Sequence, residues 1–282
     1  MNLPLSSSAS AELGATLVWR EASASTNSDL VSRAVRATTE SPETALADLT
    51  IIATDTQTAG RGRLDRAWST PPGTALAVSV FLAHEPGGAS PAAALDPRRL
   101  GWVPLLAGVA MVRAVRGLGV TGAGLKWPND VLVDGRKLCG ILTELTPTGV
   151  VVGAGLNVSM TAQQLPVPTA TSLVIEGLPE HGELVDGETS TLLDRALAAY
   201  LRELVQLVGR WREAEHPADL RPLVEQHLQT LGLAVRVDLP GQQPLRGVAS
   251  GLDDDGRLLV RESATSAVVA VAAGDVTHLR YE

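Results

Sequence analysis

Residues 125–158 read LKWPNDVLVDGRKLCGILTELTPTGVVVGAGLNV. Within them, Val131-Leu132-Val133 is a short apolar run that meets a turn at Asp134-Gly135. Gly140 to Leu145 then reads as a strand, and Val150 to Val158 as a second, buried one. Pro147-Thr148-Gly149 joins the two as a hairpin, which makes them antiparallel. Locally paired strands are thus the frame on which the rest of the chain must be placed.

Toward the N-terminus, Ile51 to Thr54 and Thr74 to Leu82 read as further strands, the latter with Val78, Val80 and Leu82 on one side. Ser25, Thr26 or Asn27 is placed to cap a helix running through Leu30, Val31, Ala34 and Val35. Residues 1–15 read as a disordered lead-in, 37–49 as a loop or frayed helix end, and His84 to Asp96 as a Gly/Pro/Ala-rich loop. A long helix is predicted from Arg98 to Leu118, with Gly117 and Gly119 closing it. Beyond residue 158, helices are predicted over Thr189–Trp211 and Ala218–Leu231. The last fifty residues change character. Val235–Leu239, Gly247–Gly251, Leu258–Glu262, Ala267–Ala272 and Val276–Arg280 are five short strands that make a small β-barrel. The expected division is 1–15, 16–231 and 232–282.

The 282-residue chain is 45% apolar and 19% charged, the profile of a globular protein. Its net charge of −8 argues against bulk attraction to nucleic acid or an anionic membrane. Met1 to Glu12 has no basic start and no sustained apolar segment, so neither a signal peptide nor a transmembrane span is expected. Cys139, the only cysteine, sits in an apolar stretch and reads as an inert core thiol. A reducing, cytoplasmic setting suits that usage. The five histidines are scattered without metal-ligand spacing, so no dedicated protein-held metal site is expected, although Mg²⁺ can arrive with nucleotide phosphates.

Between the strands at Ile51 and Thr74 lies Gln57-Thr58-Ala59-Gly60-Arg61-Gly62-Arg63-Leu64-Asp65-Arg66-Ala67-Trp68. Glycine lets backbone approach a ligand closely, and arginine offers a forked donor that matches phosphate and carboxylate. The loop reads as an anion clamp; taken alone it equally fits a solvated turn whose arginines pair with nearby acids.

Four segments taken together carry more. Ser25-Thr26-Asn27, GRGR…W at 60–68, KWPND at 126–130 with GRKLCGILTE at 135–144, and GAGLNV at 153–158 resemble the biotin protein ligases, in that family's order and spacing. The likeness covers about residue 16 to the C-terminus and is to the monofunctional type, without an N-terminal DNA-binding domain. It implies an α+β fold: a class II aminoacyl-tRNA synthetase/biotin ligase-like catalytic domain, a mixed sheet with helices on one side, then an SH3-like barrel. The implied reaction converts biotin and ATP, with Mg²⁺, to biotinyl-5′-AMP and pyrophosphate. The acyl group then passes to one lysine of the apo biotin carboxyl carrier domain of an acyl-CoA carboxylase. The partners implied are these alone, with no nucleic acid or membrane, for a monomer or weak homodimer.

By that resemblance, Lys137 binds the biotin carboxylate and the α-phosphate, while Arg61 and Arg63, with the main chain at Gly60 and Gly62, offset the repulsion of two approaching anions. Ser25, Thr26, Asn27 and Gln57 suit a neutral ureido ring, which matched polar groups recognise best. Trp68, Lys126, Gly140 and Gly155 complete the expected pocket. Asn129, Asp130 and Asn157 orient the lysines, the nucleotide or Mg²⁺, or Asp130 helps deprotonate the acceptor lysine. For Ser25 to Asn27 a helix cap alone remains the alternative. In place of the family's usual basic–Gly pair the loop has Leu64-Asp65, which bears on its closed shape.

Two rivals are weighed against this. A lipoate or octanoyl protein ligase shares the acyl chemistry but has no need of the polar Ser-Thr-Asn and Gln57 set. A biotin-responsive repressor carries a helix-turn-helix ahead of the ligase match, which here begins near the N-terminus. Gly117-Leu118-Gly119-Val120-Thr121-Gly122 spells a dinucleotide fingerprint but ends a helix instead of opening one, so it reads as a helix stop.

Overall fold

The computed structural model describes residues 1–37, 46–84, 97–185, 188–239, 243–272 and 275–278. Helix α1 (Pro4–Glu12) leads into β1 (Thr16–Trp19), α2 (Thr26–Ala37) and β2 (Thr50–Thr54). A two-residue-stranded hairpin, β3 (Gly60–Arg61) and β4 (Ala67–Trp68), precedes β5 (Ala75–Ala83). Helices α3 (Pro97–Leu100) and α4 (Trp102–Gly117) follow, then β6 (Ala123–Lys126), β7 (Asp130–Val133), β8 (Arg136–Thr146) and β9 (Gly149–Asn157). A small hairpin, β10 (His181–Val185) and β11 (Glu188–Thr191), leads into α5 (Leu192–Glu213) and the short α6 (Arg221–Glu225).

Seven strands form one sheet in the order β1-β2-β5-β9-β8-β7-β6. Only β1 and β2 run parallel; every other pair is antiparallel, so the sheet is mixed. The β7–β8 turn works because Asp134 and Gly135 both take positive φ, 49° and 78°, the conformation a two-residue hairpin needs.

Along β5, Leu76, Val78, Val80 and Leu82 face one core, shared with α4 and α5. Phe81 faces the other side, where it packs with Leu30 and Ala34 of α2, Ile52 and Val151. Helices therefore cover both faces, not one. Strand side chains alternate, and β5 is apolar at both parities, so each face needs a cover.

Two further expectations give way. The lead-in is ordered: α1 packs on α5, because the buried Asp194 carboxylate accepts the N–H groups of Leu5 and Ser6, both at 2.9 Å, and so caps the helix start. The helix predicted over 218–231 is only a 3-10 turn followed by α6. Beyond it the backbone is claimed by the sheet edge: Leu125 N–H donates to His227 O and Gln229 N–H to Leu125 O, each at 2.8 Å. The predicted helix from Arg98 is also broken at Gly101, where a Cβ would lie 2.2 Å from Asp255 O. The loop expectations over 38–45 and 85–96 lie outside the described residues.

The C-terminal segment forms a five-stranded antiparallel sheet ordered β15 (Val268–Val271), β14 (Leu258–Glu262), β13 (Leu245–Leu252), β12 (Ala234–Asp238), β16 (Asp275–His278), a small SH3-like unit. It is tied to α4 and to the β6–β7 turn through indole donors: Trp102 Nε1–H to Asp254 O (3.0 Å) and Trp127 Nε1–H to Gly256 O (3.2 Å).

Candidate active site

On the α2 face of the sheet, side chains shrink along successive rows. Phe81 pairs with Val151 beneath α2, then Ser79 with Gly153, then Ala77 with Gly155. Across on β8, Leu142 and Gly140 continue the last two rows. The small residues leave a cavity of about 210 Å³ beside the N-terminus of α2. Two glycines are required by what stands over them: a Cβ at Gly153 would lie 2.1 Å from Asn27 Oδ1, and one at Gly155 would lie 2.9 Å from the Trp68 ring.

The α2 end of the cavity is polar and internally hydrogen-bonded. Gln57 Oε1 accepts from Thr26 N–H (2.8 Å) and Thr26 Oγ1 (3.2 Å). Ser79 Oγ lies 2.7 Å from Thr26 Oγ1 and 2.6 Å from Asn27 Oδ1, and its single proton serves one of them. Asn27 Nδ2 donates to Leu142 O (3.1 Å) and Glu144 Oε2 (2.9 Å). Ser25 Oγ accepts from Ser28 N–H at 3.4 Å, so Ser25 lines the cavity and also caps α2.

The opposite end is cationic. Arg61 binds both carboxylate oxygens of Glu144, at 2.8 and 2.9 Å. Arg63 donates to Asn129 Oδ1 (2.9 Å), and Asn129 Nδ2 is fixed on Ile141 O (2.8 Å). Lys137 Nζ lies 2.6 Å from Asp130 Oδ1. The loop closes without a third glycine: Gly62 N–H donates to Arg66 O (2.7 Å), and Leu64 takes φ 54°, ψ 41°.

Of the expected residues, Ser25, Thr26, Asn27, Gln57, Arg61, Gly62, Arg63, Trp68, Asn129, Asp130, Lys137, Gly140 and Gly155 line this one cavity. Three expected residues do not. Gly60 packs under Trp68 O, where a Cβ would approach to 2.4 Å. Lys126 is the end of edge strand β6, paired with Asp130 through the ladder. Asn157 stands behind the wall, where Nδ2 donates to Thr171 O (2.8 Å) and Lys137 O (3.4 Å). Arg66 and Gly153 line the cavity unanticipated, and Glu144 joins its two ends. The signal for Glu144 was present: Gly140, Leu142 and Glu144 share one face of β8 by strand alternation.

Cys139 faces away, fully buried, and burial pushes its thiol up to about 12. A second cavity of about 410 Å³ shares Arg63, Asn129, Ile141 and Leu142 with the first and reaches the turn Asp255–Arg257 of the small unit.

Residues 27–160 match the biotin/lipoate A/B protein ligase family, and 230–279 the biotin protein ligase C-terminal domain. The biotin–[acetyl-CoA-carboxylase] ligase of Mycobacterium tuberculosis is 36% identical, over 95% of this chain and 92% of that protein. The chain belongs to the biotin protein ligase family. The same-named ligase of Paracoccus denitrificans is 31% identical over 77% of this chain and 85% of its own length. In fold, the biotin protein ligase of Aquifex aeolicus, solved with biotin and ATP, superposes with a TM-score of 0.68 at 24% identity, covering 94% of this chain and 99% of that one. Both ends of the cavity are thus built from the segments that carry the biotin protein ligase likeness.

Proposed function

We propose that this chain is an ATP-dependent biotin ligase that makes biotinyl-5′-AMP and passes the biotinyl group to a lysine of a biotin carboxyl carrier domain of an acyl-CoA carboxylase. The observation that carries this reading is one small cavity with neutral hydrogen-bonding groups at one end and Arg61, Arg63 and Lys137 at the other. Thr26, Asn27 and Gln57 suit the ureido ring, and Trp68 over Gly155 supplies an apolar wall. At the cationic end Lys137 holds the carboxylate of biotin against the α-phosphorus. As the new P–O bond forms and the bond to pyrophosphate breaks, Arg61, Arg63 and Lys137 offset the growing negative charge.

In the second step Lys137 polarises the acyl phosphate while the acceptor amine attacks the acyl carbon and AMP departs. Asp130, 2.6 Å from Lys137 Nζ, orients that lysine and is placed to take the proton of the incoming amine. Mg²⁺ neutralises phosphate charge when nucleotide is bound. The hard oxygen donors of Asp130 fit it, and the remaining ligands would be phosphate and water, since no cluster of three metal-binding side chains exists among the described residues.

The assignment extends to 16–231 as the catalytic unit and 232–282 as the small domain. No described helix is long and apolar enough to cross a membrane, and a lone cysteine suits the cytoplasm.

The test is single-turnover transfer of radiolabelled biotin, with ATP and Mg²⁺, to an apo carrier domain. Label on the carrier with the native chain, lost in Lys137→Ala, is the expected outcome. Transfer of lipoate or octanoate but not biotin would overturn the assignment.

A further inference from the structure

Glu144 bonds both Asn27 of the polar end and Arg61 of the loop, its carboxylate accepting from Asn27 Nδ2 and holding Arg61. A carboxylate and a backbone carbonyl only accept hydrogen bonds. Asn27 therefore has to turn its NH₂ toward Glu144 Oε2 and Leu142 O, which consumes both of its donors. Its Oδ1 is left facing Ser79 Oγ and the space above Gly153, where any Cβ would block it. An amide free to rotate by half a turn would present donors there instead.

We propose that Glu144 is a positioning residue that locks the Asn27 amide so that the pocket presents an acceptor, and so selects a ligand ring carrying N–H donors. The inference rests on the ligase reading above and adds the group that enforces its ring specificity. Glu144 contacts no ring itself and acts through Asn27.

The experiment measures biotin binding by titration calorimetry, without nucleotide, for the native chain, Glu144→Ala, Glu144→Gln, Asn27→Ala and the Asn27→Ala/Glu144→Ala double variant. Thermal melts of each variant check folding. Glu144→Ala leaves one Asn27 N–H without its partner and is expected to weaken binding about tenfold. Glu144→Gln keeps an acceptor and the side-chain volume, and is expected to restore affinity to within about threefold of native. The double variant is expected to bind like Asn27→Ala alone, because Glu144 works through that amide. Native-like binding by Glu144→Ala, failure of Gln to rescue, or additive losses would each overturn the proposal while leaving the ligase reading intact. Absence of biotin binding by the native chain would overturn both.

Discussion

Lys137 Nζ and Asp130 Oδ1 meet at 2.6 Å at the mouth of the cavity, with side chains 46% and 22% exposed. The β7–β8 ladder brings them together by pairing Asp130 with Gly140, three residues beyond Lys137. A Cβ at Gly140 would lie 3.1 Å from Nζ, so the glycine leaves the lysine room to bend over its own strand. A pair this exposed contributes little to stability. Asp130→Asn is accordingly expected to change unfolding free energy by less than about 1 kcal/mol while slowing adenylate formation about tenfold, or roughly 1.4 kcal/mol of barrier. If the carboxylate also accepts the acceptor lysine's proton, the transfer defect shrinks as pH rises toward the free lysine value of about 10.4. A transfer rate equal to native at every pH removes that second role.

Asp194 is fully buried, and its carboxylate is bonded to the first turn of α1. Removing either partner leaves polar groups without mates in the interior. Asp194→Ala is expected to cost about 2–3 kcal/mol in urea unfolding and to expose the N-terminal segment to limited proteolysis. Deleting residues 1–12 is expected to cost at least as much, because it strands the carboxylate itself. A deletion that melts like the native chain would contradict this account.

Gly153→Ala places a methyl group 2.1 Å from Asn27 Oδ1, with backbone on one side and the Asn27 network on the other. Overpacking of this kind costs about 1–3 kcal/mol. The expected result is a KM for biotin raised about tenfold or more, with the KM for ATP changed far less. Equal increases in both constants would show that the substitution disturbs the sheet instead of the pocket.

Cys139 takes its raised pKa first from burial, with a lowering from Lys137 and a raising from Asp130. In the folded chain it is pushed up to about 12, above the 9.0 of a free thiol. The folded chain holds the thiol proton more tightly, so this contribution to stability is complete below pH 9.0 and is lost between there and about 12. At pH 8, a thiol-specific chromogenic reagent is expected to label the unfolded chain and leave the native one unreacted. Rapid native labelling would place Cys139 at an accessible position.

Leu64 is 61% exposed and left-handed at φ 54°, a conformation that costs a branched side chain about 1–2 kcal/mol. Leu64→Gly removes that strain at the price of chain entropy, so stability is expected to change by less than about 1 kcal/mol. The loop itself is expected to become less sensitive to protease when biotin and ATP are bound, as its arginines exchange protein partners for phosphate. Identical cleavage with and without ligand would exclude such ordering.

The hairpins at Asp134-Gly135 and Pro147-Thr148 and the loop Gln57–Trp68 were legible because turn chemistry and charge are local properties. The family likeness then pointed to residues distant along the chain, including Asn27, Gln57 and Lys137, that line one cavity. Apolar content at both parities of β5 is visible too, and it requires covers on two faces. The order of α1 was not legible, since its serines and alanines form a helix start only when Asp194, some 188 residues away, supplies the cap.

The amino-acid sequence alone thus determined the hairpin turns, most of the strands and the chemical types gathered for the site. Tertiary structure decided which of those side chains share a cavity and which, like Asn157 and Lys126, support it from outside. It also decided that Glu144 joins the ring end to the arginine end. The physical reason is range: turn and strand preferences act between neighbours in the chain, whereas hydrogen-bond partners are assigned by strand register, and register places Gly153 beneath Asn27 and Glu144 beside Arg61 only once the sheet is assembled.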